Sequence, residues 1–325
     1  MKKETALKIA LINIIVLTIL SGIALSVFFT AQNKKIKTKL NSNIYKEHCL
    51  LEQDSEFHYL RLKPNNTCSG TITKNDKIIK KLKITIDENG YRKTSNKSEF
   101  KGSPIIFFGC SYTFGYGLND NETFPWLISK LTKRKTYNIA YHGYGPQHML
   151  LALKSKEIKT KVPKADTIVY IFISDHVVRP LGHSYMDDLY YPMYKLEKGK
   201  LLYYTTPEYI INSPEKFEAY KLARYKFSEN TDKESEYVLN LTSAIIKESK
   251  DIALKKYPNA RFIFFDLNNM EKIDSKIKAQ GIEVIRLKDI FGEESIGQKY
   301  YTIDHHPNAE FWKKVTPKFI EKAGL

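Results

Sequence analysis

The chain has 325 residues, 42% hydrophobic and 13% aromatic, which is enough apolar material for one large domain with extras or for two domains. This composition excludes disorder over most of the length. Its 52 Lys and Arg against 36 Asp and Glu give a net charge of +16. The lysines are scattered among acids, with no arginine-rich arm and no zinc spacing, so no nucleic-acid partner is expected. The charge reads mainly as a solvated surface, with attraction to anionic lipid or acidic glycan as the second reading.

Residues 1–8 form a short tail containing Lys2, Lys3 and Lys8. Residues 9–31, IALINIIVLTILSGIALSVFFTA, then run 23 positions without a charge, long enough to cross ~30 Å of hydrocarbon. A passable signal-peptidase site, Ala24-Leu25-Ser26, lies within the run, but the apolar stretch continues past it. The segment is therefore expected to be an uncleaved transmembrane anchor. Lys34, Lys35, Lys37 and Lys39 follow, so lysines flank both ends and charge asymmetry does not fix the orientation.

Residues 32–100 read as a juxtamembrane segment and a small β-rich region. In KKLKITIDENGYR, Leu82, Ile84 and Ile86 alternate before a turn at Glu88-Asn89-Gly90. Cys49 and Cys68 fall in this region, 19 positions apart. They close a disulfide if the region lies outside the cytosol, and are otherwise two free thiols.

From residue 101 to 325, short apolar runs alternate with amphipathic helices. PIIFF, TYNIA, TIVYIFI, RFIFFDL and IEVIRL read as strands. ETFPWLISKL, PQHMLLALKSKEIK, EYVLNLTSAIIKESKDIALKKY and NAEFWKKVTPKFIEK read as helices, the second opened by Pro146. This alternation predicts an α/β domain with a parallel sheet covered on both faces, and ligands at the carboxyl ends of its strands. Residues 180–233 interrupt the pattern with a hairpin around Lys198-Gly199-Lys200. Its tyrosines (190, 191, 194, 203, 204 and 209) either pack the insertion or line a substrate cleft by stacking on sugar rings.

Two strand ends raise chemical questions. GCSYTFGYG sets Ser111 just after the first apolar strand, but it lacks the Gly-Lys-Ser/Thr of a phosphate loop and the third glycine of a dinucleotide fingerprint. It also departs from the Gly-x-Ser-x-Gly elbow at Thr113. Near the other terminus, YTIDHHPNAEFW spaces Asp304 and His306 two apart. A serine needs an imidazole to remove its proton, and the imidazole needs a carboxylate to fix its tautomer. Gly143 and Gly145, after the second strand, can offer unobstructed N–H groups to an oxyanion. A metal site built from His142, His176, Asp304, His305 and His306 lacks any tight His-x-x-x-His spacing, so no metal or cofactor is expected.

Together these stretches resemble the sequence blocks of the SGNH (GDSL-type) hydrolases, a superfamily of esterases, lipases and carbohydrate O-acyltransferases or deacetylases. Gly109-Cys110-Ser111 is similar to the first block, Asn138 to Gly143 to the second, and Asp304-His305-His306-Pro307-Asn308 to the last. The resemblance implies a flavodoxin-like three-layer fold over 101–325, with Ser111 as nucleophile, His306 as base and Asp304 as its orienter. It further implies that the Ser111 and Gly143 N–H groups bind the oxyanion. The chain departs from the pattern in two places. Cys110 replaces an Asp, and FISDHVVRP offers Asp175 or His176 where the third block has an Asn oxyanion donor. His176 is expected to donate, with Asp175 and Asn138 as orienting residues. The expected protein is a single-pass membrane esterase or O-acyltransferase whose catalytic domain is periplasmic or extracellular. Its expected substrate is an O-acylated glycan or lipid ester, most simply an acetyl ester. The alternative is a degenerate module on the same fold that binds a glycan or a protein partner.

Overall fold

The computed structural model describes residues 44–74, 77–97, 99–182, 190–229, 231–292, 297–302 and 305–325. The expected tail (1–8), the expected anchor (9–31) and the start of the 32–100 region lie outside the described residues. Among the described residues, no helix is long and apolar enough to cross a membrane.

The chain divides into two compact units, one taking residues up to Lys46 with Thr71–Lys81, the other Glu47–Gly70 with Leu82–Leu325. In the smaller unit Ile78 and Ile79 are more than half exposed, between Lys77 and Lys80. Strands β1 (Ile44–His48), β4 (Asn66–Lys74) and β5 (Lys77–Ile86) form a sheet in the order β1-β4-β5, and β2 (Leu51–Gln53) pairs antiparallel with β3 (Leu60–Leu62). Cys49 and Cys68 are joined in a disulfide.

The larger unit is built on a parallel five-stranded sheet. Its strands are β6 (Ile105–Gly109), β7 (Thr136–Ala140), β8 (Thr167–Phe172), β11 (Arg261–Asp266) and β12 (Glu283–Arg286). They lie in the order β12-β11-β8-β6-β7, which in sequence rank is the 2-1-3-4-5 order of flavodoxin-like folds read from the other edge. All five coincide with the predicted apolar runs to within a residue or two.

Both faces of the sheet are buried, which explains why the runs show little alternation. One face carries Ile106, Phe108, Ile168, Tyr170, Phe172 and Phe264 into a core shared with Leu150, Leu241, Ile245 and Ile273. Those partners come from helices α3 (Pro146–Lys154), α7 (Glu236–Lys256) and α8 (Glu271–Ala279). The other face carries Ile105, Phe107, Val169, Ile171 and Phe265 against Ile128, Ile290, Trp312 and Phe319, from α2 (Phe124–Thr132), α9 (Leu287–Phe291) and α10 (Ala309–Ala323). Burying side chains of this size contributes roughly 1.5–3 kcal/mol each before entropy is counted.

Two differences from the sequence expectation have local causes. The helix from Pro146 stops at Lys154, where Ser155 leaves helical geometry while its N–H still closes onto Leu151 O; a separate turn, α4 (Ile158–Lys161), follows. The 180–233 insertion contains the expected hairpin, β9 (Met193–Glu197) with β10 (Lys200–Tyr204), but also helices α5 (Glu208–Ile211) and α6 (Pro214–Glu229). Helix α6 has no strong apolar stripe to announce it, since lysines and glutamates are spread around it.

Candidate active site

The switch point of this strand order lies between β6 and β8, and Ser111 stands at its carboxyl edge. Strand β6 ends at Gly109, Cys110 is extended (φ −110°, ψ −152°), and Ser111 opens the short helix α1 (Ser111–Phe114). Gly109 is required by close approach: a Cβ there would lie 2.0 Å from Thr113 Oγ1 and 3.1 Å from Ile171 O.

The turn is held by two buried side chains. Asn138 Nδ2 donates to Thr113 O at 3.0 Å and Phe114 O at 3.4 Å. Arg92 donates to Phe114 O, Gly115 O and Leu118 O at 2.9, 2.8 and 2.6 Å, with Asp120 as its counter-charge at 3.2 Å. Asn138 therefore orients the turn through its backbone. Arg92 was legible only as the end of the ITIDENGYR segment; nothing in that segment announces three carbonyl partners.

His306 reaches the same edge from the loop before α10. There the Thr302 hydroxyl donates to His306 O and accepts from the His306 N–H, both at 3.0 Å, and Asn308 caps α10 by accepting from the Phe311 N–H. His306 Nε2 lies 2.8 Å from Ser111 Oγ. Tyr116 stacks on the imidazole at 4.1 Å, and Tyr112 leans on it at 4.9 Å while donating to His305 O at 2.7 Å. Neither tyrosine was expected in this role, although both lie in the motif quoted for Ser111. Beside this loop opens a cavity of about 260 Å³ with Tyr112, Tyr301, Asn268 and Gln298 among its walls.

The remaining expected residues are distributed as follows. Asp304 lies outside the described residues. Gly143 is buried in the loop after β7 with φ +72°, a conformation that suits glycine. Its N–H and that of Ser111 meet no acceptor among the described residues. His176 is packed into the core. The imidazole is fully buried, shares a 2.7 Å hydrogen bond through Nδ1 with Tyr170 Oη, and meets Phe172 edge-on. Burial and the nearby Arg179 charge hold it well below the usual histidine range, and thus neutral. Asp175 instead pairs with Lys233 at 2.5 Å, its side chain 32% exposed. Among the described residues, no group of three or more His, Cys, Asp or Glu is placed to hold a metal.

No protein-family model matches the chain, and no curated protein matches it. Solved structures do. The chain is similar to a member of the lipolytic protein G-D-S-L family from Veillonella parvula, at 13% identity and TM-score 0.41, over 67% of this chain and 96% of that one. It is also similar to a catalytic mutant of an acetylxylan esterase from Geobacillus stearothermophilus, at 11% identity and TM-score 0.41, over 70% and 97%. A third is an acetyl xylan esterase from the rumen bacterium Butyrivibrio proteoclasticus, at 12% identity and TM-score 0.44, over 87% and 88%.

Proposed function

We propose that the chain is a serine ester hydrolase of the SGNH type, acting through an acyl-enzyme on Ser111. The observation that carries this reading is the 2.8 Å approach of His306 Nε2 to Ser111 Oγ, between residues 195 positions apart, at the carboxyl edge of the sheet. His306 takes the serine proton as Oγ attacks the ester carbonyl, then returns it to the departing alcohol. Asp304, by its place two residues earlier, orients the imidazole. The Ser111 and Gly143 N–H groups receive the charge that develops on the carbonyl oxygen. Water, or a sugar hydroxyl in a transferase, then resolves the acyl-enzyme.

The substrate in this reading is an O-acyl ester, most simply acetyl, of an envelope glycan or lipid. The cavity beside Tyr112, walled by tyrosines, amides, His305 and apolar side chains such as Leu267 and Phe311, supports this by offering room for the alcohol part. Residues 9–31 anchor the chain, with the domain outside the cytosol, and the Cys49–Cys68 disulfide supports that placement.

The test is covalent labelling and turnover. A fluorophosphonate should label Ser111, and release of p-nitrophenol from a short acyl ester should depend on it. Ser111→Ala, His306→Ala and the double variant should share one low activity, because residues acting as a unit are strongly non-additive. Wild-type turnover by Ser111→Ala defeats the proposal.

A further inference from the structure

The Gly143 N–H belongs to a loop that needs restraint. A glycine at positive φ gives the loop its turn, but glycine also lets neighbouring peptides rotate, and a rotated peptide would present a carbonyl to the oxyanion. The Gly143 N–H lies in the 142–143 peptide, and the two peptides that follow it are clamped in succession. In the 143–144 peptide, the Tyr144 N–H donates to Tyr141 O at 3.2 Å and Gly143 O accepts from Tyr191 Oη at 3.3 Å. In the 144–145 peptide, the Gly145 N–H donates to His148 Nδ1 at 3.1 Å and Tyr144 O accepts from Arg179 Nη1. Gln147 Nε2 ties the two clamps together, donating to Arg179 O at 3.1 Å and to Tyr191 Oη at 3.2 Å. All of these side chains are buried, Arg179 to 4% exposure and Tyr191 to 1%.

Arg179 also lies near enough to Cys110, one residue before the nucleophile, for the two to interact electrostatically. The guanidinium is buried with Nη1 committed to Tyr144 O, while Nε meets no hydrogen-bond partner among the described residues.

We propose that Arg179 and Tyr191 are positioning residues of the oxyanion site. They fix the 143–145 loop so that the Gly143 N–H stays aimed at the oxygen that becomes negative during attack by Ser111. This rests on the serine-hydrolase reading above. It also gives the aromatic insertion a task, because Tyr191 reaches the catalytic edge from within residues 180–233. The rigidity matters because a fixed donor needs no reorganisation when the charge appears.

Two variants test it in the full chain. Tyr191→Phe removes one hydroxyl and keeps the buried ring, so it should fold; Arg179→Lys keeps the charge but loses the planar fork. The measurements are kcat and KM on a p-nitrophenyl ester, the rate of fluorophosphonate labelling, and thermal unfolding. Tyr191→Phe should lower kcat and labelling rate by about tenfold, and Arg179→Lys by up to about a hundredfold, part of the ~10²–10³ lost when a donor itself is removed. KM should stay within about twofold, since the oxyanion exists only in the transition state. If Tyr191→Phe keeps the wild-type kcat and labelling rate, or raises KM alone, the positioning role is wrong, whatever Arg179→Lys does. The wild-type chain separates the two levels. Labelling at Ser111 with unaffected variants sinks only the positioning role, whereas a wild type that neither labels nor turns over sinks the hydrolase reading itself.

Discussion

Tyr116 lies flat on His306, ring centroids 4.1 Å apart and planes 21° from parallel, while the imidazole Nε2 reaches Ser111 Oγ at 2.8 Å. Tyr116 follows Ser111 by five residues, and its N–H closes onto Ser111 O at 2.9 Å. The same turn that presents the hydroxyl therefore also supplies the surface on which its base rests. Tyr116→Phe keeps the stacked ring and should retain activity within about twofold. Tyr116→Ala frees the imidazole to tilt and should lower kcat by about tenfold or more, since a misplacement of about 1 Å can cost a hundredfold. Steady-state kinetics on a p-nitrophenyl ester separate these outcomes; equal kinetics for Tyr116→Ala and wild type would show that the stack does not position the base.

The strands of the sheet were legible because each centres on a short apolar run, even where charges bound it as Glu283 and Arg286 bound β12, and the Ser111 and His306 stretches were legible because both flank regular elements. The clamps were not. Arg92 and Arg179 look like ordinary surface arginines in sequence, and only the fold places their guanidinium groups on buried carbonyls. The surroundings of His176 were hidden for a related reason. Its position after a strand suggested a donor at the catalytic edge, whereas the fold packs the imidazole against Phe172 with Nδ1 on Tyr170 Oη and Nε2 without a partner among the described residues. Helix α8 went unread because its apolar face is narrow, contributing Ile273 and Ile277 between charged positions.

Arg92 should be a stability residue as well as an orienting one. Its side chain is fully buried and serves three carbonyls of the turn that follows Ser111, with its guanidinium 4.8 Å from the Phe114 ring. Arg92→Met strands those acceptors and leaves Asp120 without this partner. The expected loss is about 3–5 kcal/mol, as for breaking other buried charged networks. Arg92→Lys should recover part of it, because an ammonium can reach some of the carbonyls but cannot span them as a planar fork does. Urea unfolding of the three proteins measures this; a loss under about 1 kcal/mol for Arg92→Met would show that the turn holds without its clamp.

A pair of facing carboxylates makes stability depend on pH. Asp266, at the end of β11, accepts from the Asn268 and Met270 N–H groups, and Asp274 on α8 is 2% exposed beside it. Burial and the Asp266 charge push Asp274 up to about 7. The folded state thus holds a proton that the unfolded chain releases near the usual carboxylate range, so this pair's contribution to stability is full below about pH 4 and is lost as pH rises through about 7. Above that window the charged pair costs on the order of 2–4 kcal/mol. Asp274→Asn removes the cost, so its melting temperature should exceed that of wild type at pH 8 and converge with it near pH 4. A gain that is the same at both values would mean that the effect is not ionisation.

The Cys49–Cys68 disulfide closes a loop across 19 positions, and its removal can be tested apart from catalysis. The entropy of closing a loop of that length corresponds to about 3 kcal/mol. Cys49→Ser with Cys68→Ser should lower the melting temperature, and a reductant should do the same to the wild type but not to the double variant. Cys110 is buried and free, so the wild type should present one thiol to alkylation after denaturation without reductant and three with it. Three without reductant would reject the bond.

The sharpest constraint on the nucleophile turn is Gly109. A methyl group there would collide with Thr113 Oγ1 at 2.0 Å and Thr113 Cβ at 2.9 Å, and would also press on Ile171 O at 3.1 Å. Thr113 is itself fully buried, so it cannot swing aside into solvent. Gly109→Ala should therefore push α1 outward, pulling Ser111 Oγ from His306, and should cost about 1–3 kcal/mol of stability, as overpacking of a filled core does. Labelling of Ser111 by fluorophosphonate should fall in step. Removing the obstacle offers the control: Gly109→Ala with Thr113→Ala relieves the two shortest contacts but not the approach to Ile171 O or the positive φ of +156°. The double variant should regain part of both stability and labelling, giving a coupling energy of the order of 1 kcal/mol between neighbours in contact. If the two substitutions merely add, the crowding between strand end and helix is not what holds the serine in place.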